Sequence, residues 1–290
     1  MSTPFDGIGT IDTMVGFPKR DRRETYRFLD PLLRDTESKE EFSFPAQYMF
    51  KDLPAEADDN VDPVAVVLDN LDRYGVARAM VGVRKDRPDA VRALEQHPDR
   101  FFASVEIDPN GGMDAVRYLV EMVETFGAKA ATTFPAGYGV PINDKRYYPI
   151  YAKCIELDIP IFVCAGVPGP RVPMAPQKVE LIDEVCWFFP ELKFVMRHGA
   201  EPWTDLAVKL MLKWPNLFYS TSAFAPKHYP KAIVDYANTR GADKVIYAGY
   251  FPMGLTLERI MTELPAVPLK DDVWPKFLRD NARKVLKLDD

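Results

Sequence analysis

KFVMRHGAEPWTDLAVKLMLKWPNLFYSTS, residues 193–222, decides the fold. KFVM (193–196) is an apolar run of strand length. PWTDLAVKLMLKWP (202–215) has helical spacing and stops at a proline. LFYSTS (217–222) is a strand again. Both strands are apolar at successive positions instead of alternate ones, so both of their faces must be covered. That is the mark of a parallel sheet built from strand–helix–strand units.

The same rhythm extends in both directions. Strands are expected at GIGTID (7–12), AMVGV (79–83), FFASVEI (101–107), AKAATTF (128–134), IPIFVCAG (159–166) and KVIYAG (244–249). Helices are expected between them at 61–75, 88–97, 112–127, 145–158, 177–190, 229–241 and 255–265, and residues 273–288 close the chain. The first helix carries its own punctuation: Asp62 as N-cap, Pro63 in the first turn, Gly75 as the stop. Eight strand–helix units in 290 residues predict an α/β fold, a closed (β/α)8 TIM barrel spanning 1–290 as a single domain. An open doubly wound sheet is the alternative. Residues 17–60, after the first strand, are too long for an ordinary connection and read as a lid or interface insertion.

Composition narrows the function classes. The chain is 47% apolar, enough for a sizeable core, and has a formal charge of −6. An acidic balance argues against nucleic acid as a partner. No run of about 18 uncharged apolar residues exists, so no membrane partner is expected. The opening MSTPFDGIGTID lacks the features of a secretory signal. Three unpatterned cysteines suit reduced thiols in a cytoplasmic protein. The 26 prolines sit mostly in short connections, which reads as rigid loops.

Only three histidines are present. In such a barrel the groups just after each strand share one mouth. His97 precedes a strand and belongs to the opposite end. His198 and His228 follow strands, so at most two imidazoles can meet there. A catalytic zinc site usually has three protein ligands, so the count weakens a metal site without excluding one.

The strand ends resemble the amidohydrolase superfamily, in the branch that contains aminocarboxymuconate-semialdehyde decarboxylase and related amidohydrolase 2 proteins. The resemblance spans the chain and is carried by GTIDTMVG (9–16), IPIFVCAG (159–166), FVMRHGAEPW (194–203), LFYSTSA (217–223), VIYAGYFP (245–252) and WPKFLRDNARKVLKL (274–288). Such proteins usually read Ile-Asp-x-His-x-His at the first strand, with histidines ending the fifth and sixth and an aspartate after the eighth. Here Met14 and Gly16 replace the paired histidines, Cys164 replaces the fifth-strand histidine, and Tyr250 stands where the aspartate would be. Only His198 remains. Methionine, glycine and neutral tyrosine are poor ligands for a divalent cation, so no metal and no other cofactor is expected.

The mouth residues then take these expected roles. His198, with an ordinary pKa of about 6.5, is the candidate general acid/base. Glu201, three residues on, is its candidate orienting partner. Tyr250 is a candidate oxyanion donor, or a plug filling the vacated space. Cys164 is a candidate nucleophile, or a small buried residue. Arg84, Arg171, Arg197, Lys227, His228 and Ser222 are candidate substrate-binding residues, suited to a carboxylated or phosphorylated small molecule. Glu106 and Asp108 offer carboxylates after the third strand. The basic run KRDRRETYR (19–27) suggests phosphates, including those of a coenzyme A ester, or simply a solvated helix. The first functional expectation is a metal-independent hydrolase of a lactone, ester or acyl thioester. A non-oxidative decarboxylase or other lyase, and a non-catalytic binding homologue, are the alternatives. Family habit implies a homo-oligomer, a homodimer in the first instance.

Overall fold

A computed structural model describes residues 5, 7–19, 21–40, 44, 46–50, 53–54 and 60–289. Eight strands run in sequence order around one sheet: β1 Thr10–Val15, β2 Val76–Gly82, β3 Phe101–Glu106, β4 Ala130–Thr133, β5 Ile161–Cys164, β6 Phe194–Arg197, β7 Leu217–Ser220 and β8 Val245–Ile246. Every neighbouring pair is parallel, with Val81 opposite Ala103, Phe162 opposite Val195 and Tyr219 opposite Val245. β8 returns to β1. The Gly16 N–H donates to the Phe251 carbonyl at 2.9 Å and the Tyr250 N–H to the Met14 carbonyl at 3.2 Å. The chain is a (β/α)8 TIM barrel.

The two faces of the strands explain why they read as continuously apolar. Ile11, Met80, Phe102, Ala130, Phe162, Val195, Phe218 and Ile246, one from each strand, form a single apolar layer inside the barrel. Ala282, Val285, Leu286 and Leu288 of the closing segment complete that layer from below. Side chains one position away, such as Val81, Ala103, Val163, Met196 and Tyr219, face outward into the larger core shared with the helices. A buried leucine-sized side chain contributes roughly 1.5–3 kcal/mol, so each strand is held from both sides.

Helix ends follow the sequence punctuation. Asp62 accepts the Val64 N–H at 3.0 Å and caps Pro63–Arg73. Gly127, in the left-handed region at φ 61°, ends Met113–Phe126 and gives its N–H to Val123. The closing segment holds a π-helical turn at Lys276–Asp280 before the α-helix Asn281–Leu286, a detail that periodicity did not signal. Within 17–60 the described residues include two short helices, Arg22–Tyr26 and Thr36–Glu40. No helix among the described residues is long and apolar enough to cross a membrane.

Candidate active site

Strand alternation builds the site from below. Two positions above the apolar layer, the inward residues turn polar: Thr13, Ser104, Thr132, Cys164, Arg197 and Ser220. Arg197 is the centre of this tier. Its Nε donates to the Cys164 sulfur at 3.3 Å, and a terminal nitrogen donates to Glu106 at 3.1 Å and the Thr133 carbonyl at 3.4 Å. Glu106 also accepts from the Thr132 hydroxyl, and from the Tyr138 hydroxyl at 3.4 Å. Burial opposes the Arg197 charge, but the Glu106 carboxylate, with the hydrogen bonds to it and to the Cys164 sulfur, outweighs it and holds the guanidinium firmly protonated.

That environment corrects the expectation for Cys164. The side chain is buried, and its near partner is Arg197 and not His198. Burial pushes the thiol up to about 11, against the pull of Arg197. It stays protonated near neutrality and lacks the thiolate that nucleophilic attack needs.

His198 lies one residue beyond β6, in a tight backbone turn. His198, Gly199 and Ala200 all have positive φ, at 67°, 97° and 56°. A Cβ on Gly199 would lie 2.3 Å from the Phe224 ring, so only glycine fits there. The Ala200 N–H donates to the Ala165 carbonyl at 3.1 Å, pinning the turn against β5. This turn also corrects the expected role of Glu201. Its side chain is exposed, and its carbonyl accepts the Val167 N–H at 2.7 Å. The partner of the imidazole is Ser222, after β7. Its Oγ lies 3.0 Å from His198 Nδ1 and accepts the His198 backbone N–H at 3.2 Å. The ring keeps some solvent contact yet sits deep among protein atoms. Burial first, then the Arg197 charge, lowers its pKa to about 3. The imidazole is therefore neutral at physiological pH, where the sequence alone suggested a group poised near 6.5.

Tyr250, at φ 73°, faces His198 edge-on with ring centroids 5.4 Å apart. Phe44 and Phe50 of the 17–60 segment pack on its other side at 6.2 and 6.3 Å. Burial raises the phenol well above its ordinary pKa, so it too is a neutral donor.

Beneath Tyr250 lies a group the residue pattern had offered only as part of a motif. Asp12 is fully buried. Its Oδ1 accepts the N–H groups of Met14 and Gly249, both at 2.9 Å, joining β1 to the end of β8. Its Oδ2 has no partner. Burial, opposed by those two hydrogen bonds, raises the carboxyl to about 7. A Cβ on Gly249 would meet that free oxygen at 2.5 Å, so a side chain there would break the joint.

The remaining cations do not gather at His198. Arg84 is paired with Asp86 at 2.6 Å. Arg171 is held by Asp35 and Glu37 at 2.8 and 2.7 Å and lies over the Tyr48 ring. Lys227 reaches Glu263 at 3.4 Å, and His228 is exposed on the turn Pro226–His228. In the basic run, Arg22 donates to the Pro54 carbonyl and Arg23 to that of Lys39, while Arg20 lies outside the described residues. These side chains stabilise the insertion and give no support to a coenzyme A ester. Of the six residues expected to bind substrate, Ser222 touches His198 and Arg197 lies in the polar tier beside it.

Solved structures share this architecture. An uncharacterised TIM-barrel protein from Bordetella bronchiseptica superposes with a TM-score of 0.71 at 21% identity, covering 96% of this chain and 98% of that one. A 5-carboxyvanillate decarboxylase from Novosphingobium aromaticivorans, solved with bound manganese, gives 0.68 at 16% identity over 99% and 100%. A 2,6-dihydroxybenzoate decarboxylase from Rhizobium gives 0.65 at 16% over 97% and 99%. No curated protein matches the chain.

Manganese in such a relative raises the question of a metal here. Among the described residues, no three of His, Cys, Asp and Glu are grouped to hold one. The strand ends present Met14, Gly16, a protonated Cys164 and a neutral Tyr250 around a single imidazole. That donor set does not fit a hard or borderline divalent cation. The model of the amidohydrolase family matched by this sequence nevertheless runs over residues 34–288, and the chain belongs to that family.

Proposed function

We propose that this protein is a lyase of the decarboxylase type, acting on a small carboxylated substrate whose breaking bond delivers its electrons to an oxygen. The observation that carries this reading is the pair of neutral donors, His198 and Tyr250, 5.4 Å apart at the top of the barrel. In this reading the Ser222 hydroxyl, which accepts the His198 backbone N–H, donates its own proton to Nδ1 at 3.0 Å. That leaves the imidazole proton on Nε2, facing the mouth. A neutral N–H and a phenol O–H stabilise negative charge on oxygen but abstract protons poorly. In decarboxylation of a β-keto acid, the bond to the carboxylate breaks, carbon dioxide leaves, the electron pair moves onto the carbonyl oxygen, and a solvent proton then returns to carbon. A hydroxybenzoate first takes a proton at the carboxylate-bearing carbon and becomes the β-keto acid tautomer; loss of carbon dioxide then sends the electron pair onto the carbonyl oxygen and restores the phenol. The names of the decarboxylase neighbours agree with this class.

Hydrolysis of a lactone, ester or thioester is less well supported. It requires a base for water, and an imidazole held near 3 is a weak one. Phe44 and Phe50 over Tyr250 support a lid role for part of the 17–60 insertion, excluding water from the mouth. The test is carbon dioxide release from a panel of hydroxybenzoates and β-keto acids, beside lactone and thioester hydrolysis. Activity on the acids should fall about 10²–10³-fold in Tyr250→Phe and in His198→Ala. Hydrolysis without carbon dioxide release would restore the hydrolase reading. No turnover of any member would favour a binding homologue.

A further inference from the structure

One arginine ties the insertion to the loop between β5 and β6. Arg171 lies on that loop, and one of its terminal nitrogens donates to Asp35 at 2.8 Å and to Glu37 at 2.7 Å. The carboxylate of Asp35 also accepts the Ser38 N–H at 2.9 Å, in the first turn of the helix Thr36–Glu40. The guanidinium carbon lies 4.7 Å from the centre of the Tyr48 ring, and the Tyr48 hydroxyl donates to the Gly169 carbonyl at 2.7 Å. A Cβ on Gly169 would come within 2.8 Å of the Ala46 Cβ, so glycine allows this close approach. Val172 packs against the small apolar cluster of Leu29 and Leu33. The loop is fixed at its base: the Val167 N–H donates to the Glu201 carbonyl at 2.7 Å, and the Gly166 N–H to the Gln177 carbonyl at 2.9 Å.

Tyr48 stands in the middle of a short turn. The Gln47 N–H donates to the Phe44 carbonyl at 3.1 Å, the Met49 N–H to the Ala46 carbonyl at 2.9 Å, and the Phe50 N–H to the Gln47 carbonyl at 3.0 Å. Phe44 and Phe50 flank that turn, meet edge-on at 5.3 Å, and both rest on Tyr250. One turn therefore faces two ways. Tyr48 meets Arg171, and the two phenylalanines meet the ring that faces His198. We propose that Arg171 is a positioning residue: by holding Asp35, Glu37 and Tyr48 at one point, it keeps the Phe44–Phe50 turn closed over Tyr250 and His198. The clasp rests on the lid role proposed for this segment and names what fastens it. Its ion pairs are partly exposed, and such pairs are weak singly and screened by salt, so the fastening is reversible and lets substrate enter.

The test reads access to His198 instead of turnover. Diethyl pyrocarbonate modifies accessible neutral imidazoles, and peptide mass spectrometry separates the three histidines, His97, His198 and His228. In wild type, His198 should label well below the exposed His228. Where the cover recloses faster than the reagent reacts, the labelling rate follows its open fraction. Arg171→Met should raise the His198 rate about three- to tenfold, and Arg171→Lys and Tyr48→Phe should raise it less. About 1 M sodium chloride, where the screening length is about 3 Å, should raise the wild-type rate and leave that of Arg171→Met little changed. His97 and His228 should keep their wild-type rates in every variant. Arg117→Met, which breaks the remote pair with Asp114, should match wild type throughout. Equal His198 rates in wild type and Arg171→Met refute the clasp. A rise in His97 beside His198 also refutes it, because the whole chain has then loosened. Wild-type His198 labelling as fast as His228 overturns the lid role and the clasp with it. Failure of the lyase reading has a different signature: the labelling pattern intact, with no carbon dioxide release.

Discussion

At the seam between β8 and β1, the Asp12 carboxyl holds the Gly249 N–H, one residue before Tyr250 in its left-handed conformation. At the seam between β6 and β7, the Ser222 hydroxyl holds the N–H of His198, also left-handed. A non-glycine residue in that region costs about 1–2 kcal/mol, and in each case an acceptor from the neighbouring strand offsets the strain. The chemistry differs. Ser222 is neutral and uses its oxygen fully. Asp12 is ionisable, fully buried, and leaves one oxygen without a partner. One clamp should be indifferent to pH and the other sensitive to it.

The harshest way to break the comparison is truncation. Asp12→Ala removes the acceptor from two N–H groups, each about 1–3 kcal/mol when left unsatisfied in the interior. Urea unfolding should show a loss of about 2–6 kcal/mol. A loss below about 1 kcal/mol would mean that the two groups find other acceptors.

The next effect is the pH dependence. The folded carboxyl, near 7, lies above its ordinary 3.8. Between those values the native state keeps a proton that the unfolded chain has released. The stabilisation is complete below about 4 and is lost as pH rises through about 7. The loss is on the order of 4 kcal/mol at most. Asp12→Asn mimics the protonated form, so the difference in stability between variant and wild type should grow in the variant's favour from pH 4 to 8. A constant difference would place the carboxyl's titration elsewhere.

Ser222→Ala sharpens the contrast from the neutral side. It should cost about 1–2 kcal/mol at every pH. It should also free the His198 tautomer, visible as a change in the imidazole nitrogen shifts. The smallest effect concerns the turn itself. Ala200→Gly relieves the positive φ while loosening the unfolded chain, so stability should stay within about 1 kcal/mol of wild type. The same change at Ala207, inside Thr204–Lys213, should cost about 1 kcal/mol or more.

The barrel was legible because the two apolar faces of its strands leave an unbroken record in the sequence. Ile11 to Ile246 inside, and Val81 to Tyr219 outside, are both visible as runs. The place of His198 followed from strand direction alone. Its partner did not. Glu201 is three residues away in sequence, but three consecutive positive φ values turn the chain outward. Ser222 is 24 residues away and arrives through the pairing of β6 with β7, a relation that no local pattern encodes. Loop charges misled for a similar reason. Arg171 finds Asp35 and Glu37 only once the insertion has folded against its loop. An aspartate between Ile11 and Thr13, in an otherwise neutral strand, was the one available signal for the buried clamp.

The layer of eight inward side chains is finished by Ala282, Val285, Leu286 and Leu288. During synthesis, then, the barrel's centre stays wet until residue 288 has left the ribosome, however early the strands assemble. Premature release before that point would yield a ring with an open apolar throat, a ready target for chaperones and proteases.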